Sequence, residues 1–493
     1  MVTTRTPRPI DFSMSERTMP PEAFRRAGHE LIDWIADYRQ QVENLPVRAQ
    51  VAPGDIRRSM APTPPDQPVA FNDLLAELER VVVPGVTQVQ HPMHFGWFPS
   101  NASLSAVLGD IACSGLGTLG ISWESCPALT EVEEVVCDWM RQLAGLSDAW
   151  LGTIHDTAST ACLTSLLVAR ERRSDYSEFA GGLQALDRPL IVYASDQAHS
   201  SVVKAALLAG FGHDNLRSVA TDPATHAMSV SALENAIEAD LAAGNVPAAI
   251  VASLGTTGVT AFDPLREIVE VANRYDCWTH VDAAMAGSAL MLPECRALFD
   301  GIEGADAISW NPHKWIGTIL DTSLFYVRDP RTLNRVMSTN PSYLQSAEDG
   351  DVTQYRDWGV PLGRRFRALK LWFQLALDGP RAIRDRLRRD LENARWLESE
   401  VAQTKDWTIV APVTLQTVCI RHEPPGLEGD ELDRHTLAWL QAVNRSGEAF
   451  LSPAQLDGRW FVRVSVGVEA TTREHVQRLW KLLREAAEQN ASR

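Results

Sequence analysis

The chain has 493 residues, 45% hydrophobic and 22% charged. That is an ordinary balance for a folded, water-soluble protein, and the length exceeds what one core usually serves, so two or three domains are expected. The net charge of −17 argues against nucleic acid or an anionic membrane as partner. No apolar run reaches the ~20 residues of a membrane span, and the opening MVTTRTPRPIDFSMSERTM holds no apolar signal core. The cysteines at 113, 126, 137, 162, 277, 295 and 419 are scattered and form no CxxC. They fit reduced thiols in a cytoplasmic protein, not a disulfide framework or a zinc site, so no metal is expected.

Residues 1 to about 20 are rich in Pro and Thr and are expected to be loose. From Glu22 to about Val42, Phe24, Ala27, Leu31, Trp34, Ile35 and Tyr38 recur at helical spacing between charges, predicting an amphipathic helix. Residues 43–70 carry many prolines and read as an extended linker, followed by a second helix near Phe71 to Val82. The stretch from His91 to Ser100, HPMHFGWFPS, is aromatic and broken by Pro and Gly, so it reads as a loop. Its His91 and His94 lack the acidic or thiol partner a metal site needs. The run from Gly115 to Gly120, GLGTLG, has the form GxGxxG. It follows a helix-like run and no βαβ unit surrounds it, so a turn or close packing is expected, not a dinucleotide site.

From there short apolar runs alternate with helical patterns. Leu190 to Tyr193, Ala249 to Ala252, Trp278 to Val281, Ala307 to Trp310 and Leu324 to Val327 read as buried strands, and Pro264 to Tyr275 as a helix between two of them. Such alternation implies an α/β fold built on a mainly parallel sheet with helices on both faces. Several strand ends carry polar groups. Asp156-Thr157-Ala158-Ser159-Thr160 precedes a helical run, Ala161 to Arg170, and hydroxyls with free N–H groups at a helix start suit an anion. His199 lies in SDQAHSS after one strand, where it could also cap the next helix, and Thr257 lies in GTTG after another.

The strongest pair comes next. Asp282 falls at the C-terminal end of Trp278 to Val281, and Lys314, in Asn311-Pro312-His313-Lys314-Trp315, follows Ala307 to Trp310. Pro312 keeps Asn311 extended and delays any helix. Both residues therefore stand at strand exits, where α/β proteins place their ligands. Partly apolar surroundings disfavour the ammonium form, leaving the amine free to condense with an aldehyde. Pyridoxal phosphate (PLP) needs this combination: a lysine for its aldehyde and an anion against its pyridine nitrogen.

The run His280 to Arg296, HVDAAMAGSALMLPECR, with NPHKW downstream, closely resembles the group II PLP-dependent decarboxylases, above all those acting on aromatic L-amino acids. The resemblance extends from about Glu22 to the C-terminal helix. It implies the PLP-dependent transferase fold type I, like aspartate aminotransferase: a large domain on a mainly parallel sheet and a small C-terminal α/β domain. It divides the chain into an N-terminal helical segment, 1–85, exchanged with the other subunit of a homodimer, a PLP-binding domain, 86–378, and a small domain, 379–493.

The resemblance also implies roles. Lys314 carries PLP, Asp282 meets its ring nitrogen and His199 stacks on the ring. Thr157, Ala158, Ser159, Asn311 and His313 anchor the phosphate, while Thr257 and Ala284 lie near the cofactor. The family has Ser-Ala-Ser where this chain has Thr157-Ala158-Ser159. Trp97, Phe98 and Pro99 line the substrate pocket, and Leu119 and Ile121 reach into the partner subunit's pocket. Relatives acting on aromatic substrates can carry a larger aromatic at Ile121 and tyrosine at Trp97. Gly363 matches the aromatic-type enzymes, where histidine decarboxylases can carry serine. Tyr343, in a polar segment running to about Tyr355, matches the residue thought to return a proton to the substrate carbon. Relatives with phenylalanine there tend to make aldehyde.

The expected activity is therefore decarboxylation of an aromatic L-amino acid (tryptophan, phenylalanine, tyrosine or dihydroxyphenylalanine) to its amine. The alternatives are a decarboxylase of an aliphatic amino acid such as valine or leucine, a decarboxylating aldehyde synthase, and a non-catalytic interaction protein on the same fold. Further on, Pro361 to Arg367 is expected to open a long helix, Phe461 to Val466 to form a half-exposed strand, and Thr471 with Glu474 to form a capping box before the last helical stripe, Val476, Leu479, Trp480 and Leu483.

Overall fold

The computed structural model describes residues 19–339, 342 and 350–491. They form two compact units. The larger comprises Phe95–Leu437 with Ser452–Glu469, and the smaller comprises the described residues of Met1–His94, Ala438–Leu451 and Ala470–Arg493.

The larger unit is built on seven strands: β1 (Leu151–His155), β2 (Leu190–Ser195), β3 (Leu216–Val219), β4 (Val246–Ser253), β5 (Trp278–Asp282), β6 (Ala307–Trp310) and β7 (Ser323–Val327). Their order is β1-β7-β6-β5-β4-β2-β3. The pairs β2–β3, β2–β4, β4–β5 and β5–β6 are parallel. β7 is antiparallel to both β6 and β1, so β1 runs with the parallel set. This is the expected mainly parallel sheet.

Why the strands read as unbroken apolar runs is plain from the packing. Successive side chains point to opposite faces, and here each face has its own core. Ile191 and Tyr193 join Leu265 and Ile268 of the helix Leu265–Arg274. Leu190, Val192 and Ala194 join Ala161, Cys162 and Leu166 of the helix Ala158–Arg173. A sheet covered on both sides has no solvent face to alternate with. The second helix is also held by a polar bond, from the Trp278 indole to the Ser165 hydroxyl at 2.8 Å.

A second sheet, entirely antiparallel, lies in the same unit. Its strands β8 (Trp407–Ile409), β9 (Thr417–His422), β10 (Ser452–Leu456) and β11 (Arg459–Ser465) run in the order β10-β11-β9-β8. The helix Gly379–Gln403 packs on β8 and β9.

The five strands read from the sequence for the mainly parallel sheet are all present, and two more accompany them. β1, LGTIH, is interrupted by Gly152 and polar residues, and β3 is a four-residue edge strand, so neither has the apolar run that marked the others. Three expectations are corrected. Phe461 to Val466 is buried throughout, because the polar positions of its alternation point inward: Phe461 packs with Val259 and Cys419, and Arg463 donates to the Gly258 carbonyl at 2.9 Å. Pro361 to Arg367 is irregular and the helix begins only at Ala368. Arg364 is withdrawn from the helix by a buried ion pair with Glu133 (2.6 Å) and a bond to the Ile154 carbonyl (3.0 Å). The last helix, Arg473–Ala491, starts one residue later than Thr471 and Glu474 require. Thr472 stands at its cap, its N–H donating to His475 Nδ1 at 3.0 Å, while Thr471 donates to the Pro92 carbonyl.

In the smaller unit the helix Pro21–Gln41 forms as expected, but only Ala23 and Ala27 are buried and Phe24 is 64% exposed. The supposed linker holds a short helix, Asp55–Ser59, before the helix Phe71–Glu77 and its wider final turn, Leu78–Val82. No helix among the described residues is long and apolar enough to cross a membrane.

Burial depresses His94, His155, His280, His313 and His435 to about 4. Their unfolded value is near 6.5, so as pH falls the unfolded chain takes up protons first, and stability is lost from about pH 6.5 down to 4. Asp263 and Asp390, raised by burial to about 6, act with the opposite sign between about 4 and 6 and offset part of that loss. Thermal melts from pH 7.5 to 4.5 should therefore show a progressive fall in Tm below pH 6.5. A flat Tm over that range contradicts the assignment of neutral buried imidazoles.

Candidate active site

Because the strands of the parallel set run in one direction, their C-terminal ends deliver loops to a single edge. A cavity of about 260 Å3 lies there, and both Lys314 and Asp282 line it.

Lys314 follows β6 in a hydrogen-bonded turn. The Lys314 N–H donates to the Asn311 carbonyl at 3.0 Å, and the Thr322 N–H donates to His313 Nδ1 at 3.1 Å. The amine stands 5.3 Å from the centre of the Phe98 ring. Arg463, reaching across from β11, places its guanidinium carbon 4.9 Å from the same ring. Burial draws the Lys314 pKa down, the Asp282 carboxylate opposes this, and Arg463 adds to the depression. The amine is thus readier to lose its proton than a surface lysine.

Asp282 ends β5, and its Oδ1 accepts the Ala284 N–H at 3.1 Å. His199 does two jobs suggested by its sequence. It caps the helix Ser200–Leu208, its Nδ1 accepting the Ser201 N–H at 3.2 Å, and its ring also lines the cavity. Burial lowers its pKa, with Asp282 opposing and Lys314 reinforcing, so one imidazole feels both charged groups.

The helix Ala158–Arg173 begins three residues before the expected Ala161. Thr157 is its cap, and the first N–H groups of any helix lack intrahelical partners. Thr157, Ala158 and Ser159 all line the cavity, which makes this end an anion cup. After β4, Gly255 adopts φ +84°, and a Cβ there would lie 2.6 Å from that of Ala286. Only glycine fits, and the tight turn brings Thr256 and Thr257 to the wall. Two further lining atoms, Ser253 Oγ and Asn311 Oδ1, are buried without a hydrogen-bond partner. Buried polar atoms left in that condition mark a place for a ligand. A lysine amine, a carboxylate, an anion cup and spare polar atoms around one cavity are the groups PLP requires.

Of the residues singled out in the sequence, Phe98, Thr157, Ala158, Ser159, His199, Thr257, Asp282, Ala284, Asn311, His313 and Lys314 come together here. Trp97, Pro99, Leu119, Ile121 and Gly363 are not among the lining residues. Trp97 is 52% exposed with φ +53°. Leu119 is exposed, with a methyl 4.0 Å from where a side chain at Gly363 would begin, so those two are neighbours. Tyr343 lies outside the described residues. Sequence reasoning missed Ser201, Ser253, Gly255, Thr256, Met285 and Arg463. The first five stand within or beside runs already marked, and Arg463 carried a signal in being a charge at an alternating position of an apolar strand.

Residues 53–423 match the pyridoxal-dependent decarboxylase conserved domain. Phenylacetaldehyde synthase of Arabidopsis thaliana is 38% identical over 482 residues, covering 96% of this chain and 97% of that protein. Tyrosine decarboxylase 4 of Petroselinum crispum is 38% identical over 484 residues, covering 96% and 94%. Among solved structures, Oryza sativa TDC with PLP and tryptamine superposes with a TM-score of 0.93 at 34% identity, over 96% of this chain and 99% of that one. With a likeness that spans nearly its whole length and a cavity whose chemistry agrees, the chain belongs to the pyridoxal-dependent decarboxylase family and is a PLP-dependent carboxy-lyase of amino acids.

Proposed function

We propose that the enzyme converts an aromatic L-amino acid to its amine and CO2, using Lys314, Asp282, His199 and Tyr343. The observation that carries the reading is that Lys314 and Asp282 face one cavity together with the anion cup. The aromatic substrate is supported by the names of the relatives, tyrosine decarboxylase and a TDC solved with tryptamine.

Bound PLP supplies an aldehyde for amines and a protonated ring nitrogen that draws electrons from the substrate α-carbon as CO2 leaves. The chain's own groups do the rest. The desolvated Lys314 amine is the nucleophile that would hold the cofactor through its aldehyde. The Asp282 carboxylate keeps the proton on the ring nitrogen, an effect worth about 1–3 pKa units for a close opposite charge. Thr157, Ala158, Ser159, Asn311 and His313 hold the phosphate. His199 offers its flat face, Phe98 excludes water beside the amine, and Tyr343 returns a proton to the α-carbon. Orientation and fixed charge are the protein's main contributions.

The enzyme works as a homodimer in this reading. The helix Leu104–Leu116 leaves Leu104, Leu108, Ile111 and Leu116 exposed, and the helix Ala368–Leu377 packed on it leaves Trp372 and Leu377 exposed. Large apolar side chains left exposed on two packed helices suit a subunit interface. Leu119 and Ile121, just past the first helix, then reach the partner's pocket. A cytoplasmic location agrees with the seven cysteines all being free thiols.

A second reading, a decarboxylating aldehyde synthase, is favoured by the likeness to phenylacetaldehyde synthase. It consumes O2 and water and releases aldehyde, ammonia and hydrogen peroxide with CO2. Tyr343 speaks for the amine.

Three measurements test the proposal. Borohydride should fix PLP covalently to the parent at Lys314 and not to Lys314→Ala; label retained by the variant contradicts the assigned lysine. CO2 release from tryptophan, phenylalanine, tyrosine or dihydroxyphenylalanine should exceed that from valine, leucine or glutamate by about tenfold or more, and an aliphatic optimum overturns the substrate class. Tyr343→Phe should make amine more slowly and begin to release peroxide and ammonia. Amine at the parent rate removes Tyr343 from the mechanism.

A further inference from the structure

Lys314 belongs to no helix or strand. Between β6 and β7 the chain makes an irregular turn in which the Gly317 and Thr318 N–H groups both donate to the Pro312 carbonyl, at 3.0 and 3.1 Å. Backbone carbonyls in such a turn have no ladder and must be satisfied by other groups. Those directly after Lys314 are taken by two helices. Arg386 Nη2 donates to the Trp315 carbonyl at 2.9 Å and also to the Ile316 carbonyl. Gln374 Nε2 donates to the Ile316 carbonyl at 3.0 Å, and its Oε1 accepts the Thr318 hydroxyl at 2.6 Å.

The Trp315 ring is fixed as well. It is wholly buried, and its indole N–H donates to Asp390 Oδ2 at 3.0 Å. Asp390 is itself fully buried, one turn after Arg386 on the helix Gly379–Gln403, and its other oxygen faces Arg389 at 3.5 Å. None of Trp315, Arg386 and Asp390 lines the cavity. A buried carboxylate costs more in desolvation than an apolar residue of the same size. What it provides is a direction: an apolar neighbour would bury the indole without fixing its orientation.

We propose that Asp390 and Arg386 are positioning residues for Lys314: acting through the Trp315 indole and the Trp315 and Ile316 carbonyls, they fix the peptide from which the amine reaches the cavity. This rests on Lys314 being the residue that carries PLP. A misplacement of about 1 Å at a reacting group can cost on the order of a hundredfold in rate, so a clamp one residue away has leverage.

The test uses PLP-loaded enzyme and the variants Arg386→Lys, Trp315→Phe and Asp390→Asn. Lysine keeps the charge at 386, but its amine ends one bond short of the Nη2 that serves both carbonyls. Phenylalanine removes the indole donor, and asparagine keeps an acceptor while losing the charge. Arg386→Lys and Trp315→Phe should lower kcat by about tenfold or more with KM little changed. Both should also shift the pH midpoint of the visible absorbance of bound PLP. Asp390→Asn should fall between them and the parent. Variants that melt at lower temperature yet keep the parent kcat and absorbance titration show that the web only supports the fold, and overturn the proposal. Failure of all three to fold counts against it equally, since the web is then inseparable from the scaffold. Absence of borohydride label at Lys314 in the parent is a different failure, that of the proposed function.

Discussion

The active site depends on one electrostatic arrangement: a lysine amine taken out of water and an aspartate side chain, both facing a cavity of about 260 Å3. Without Asp282 the buried amine would have no anion nearby, and without desolvation it would stay an ordinary ammonium. The parallel sheet supplies the geometry, because β5 and β6 are neighbours in register, with Asp282 opposite Ser309 and Lys314 five residues beyond it. Two adjacent strand exits are the shortest route by which a chain can hold two such groups at one edge.

Around this pair the polar groups are secured by unusual means. Histidines close to it are neutral because they are buried, so they serve as hydrogen-bond acceptors and flat surfaces and add no charge. His313 accepts the Thr322 N–H, and His199 closes the start of its own helix. Phe98 meets the Lys314 amine and the Arg463 guanidinium on one ring, an electrostatic partner that bears no net charge. Fixed positive charge can therefore accumulate near the site without a second carboxylate to compete with Asp282.

The fold was legible where burial on both faces of the sheet wrote itself as apolar runs, in β2, β4, β5, β6 and β7. It was illegible at β1 and β3, where a glycine or a short edge broke the run. The site was legible as loops after strands, since Asp282, Lys314, His199 and the threonines sit in the punctuation between elements. What stayed hidden were contributions made across long sequence separations. The Arg364–Glu133 pair kept a helical-looking run out of its helix, and Arg463 turned an alternation that reads as solvent exposure into one that faces the interior. His475 took the place in the cap that the sequence pattern gives to a glutamate. Each of these is a tertiary contact overriding a local preference.

The cavity wall runs from Phe98 to Lys314, with Arg463 supplied by the small sheet, and no single stretch of chain contains the whole of it. It comes into being only when every strand of the parallel set has found its neighbour. Such far-flung pairing forms late, after the loop entropy has been met. A cofactor that binds this wall therefore recognises the completed chain and not its precursors. A ligand that binds only the finished state stabilises it by mass action, so the cofactor is expected to raise the folded fraction as well as the active fraction.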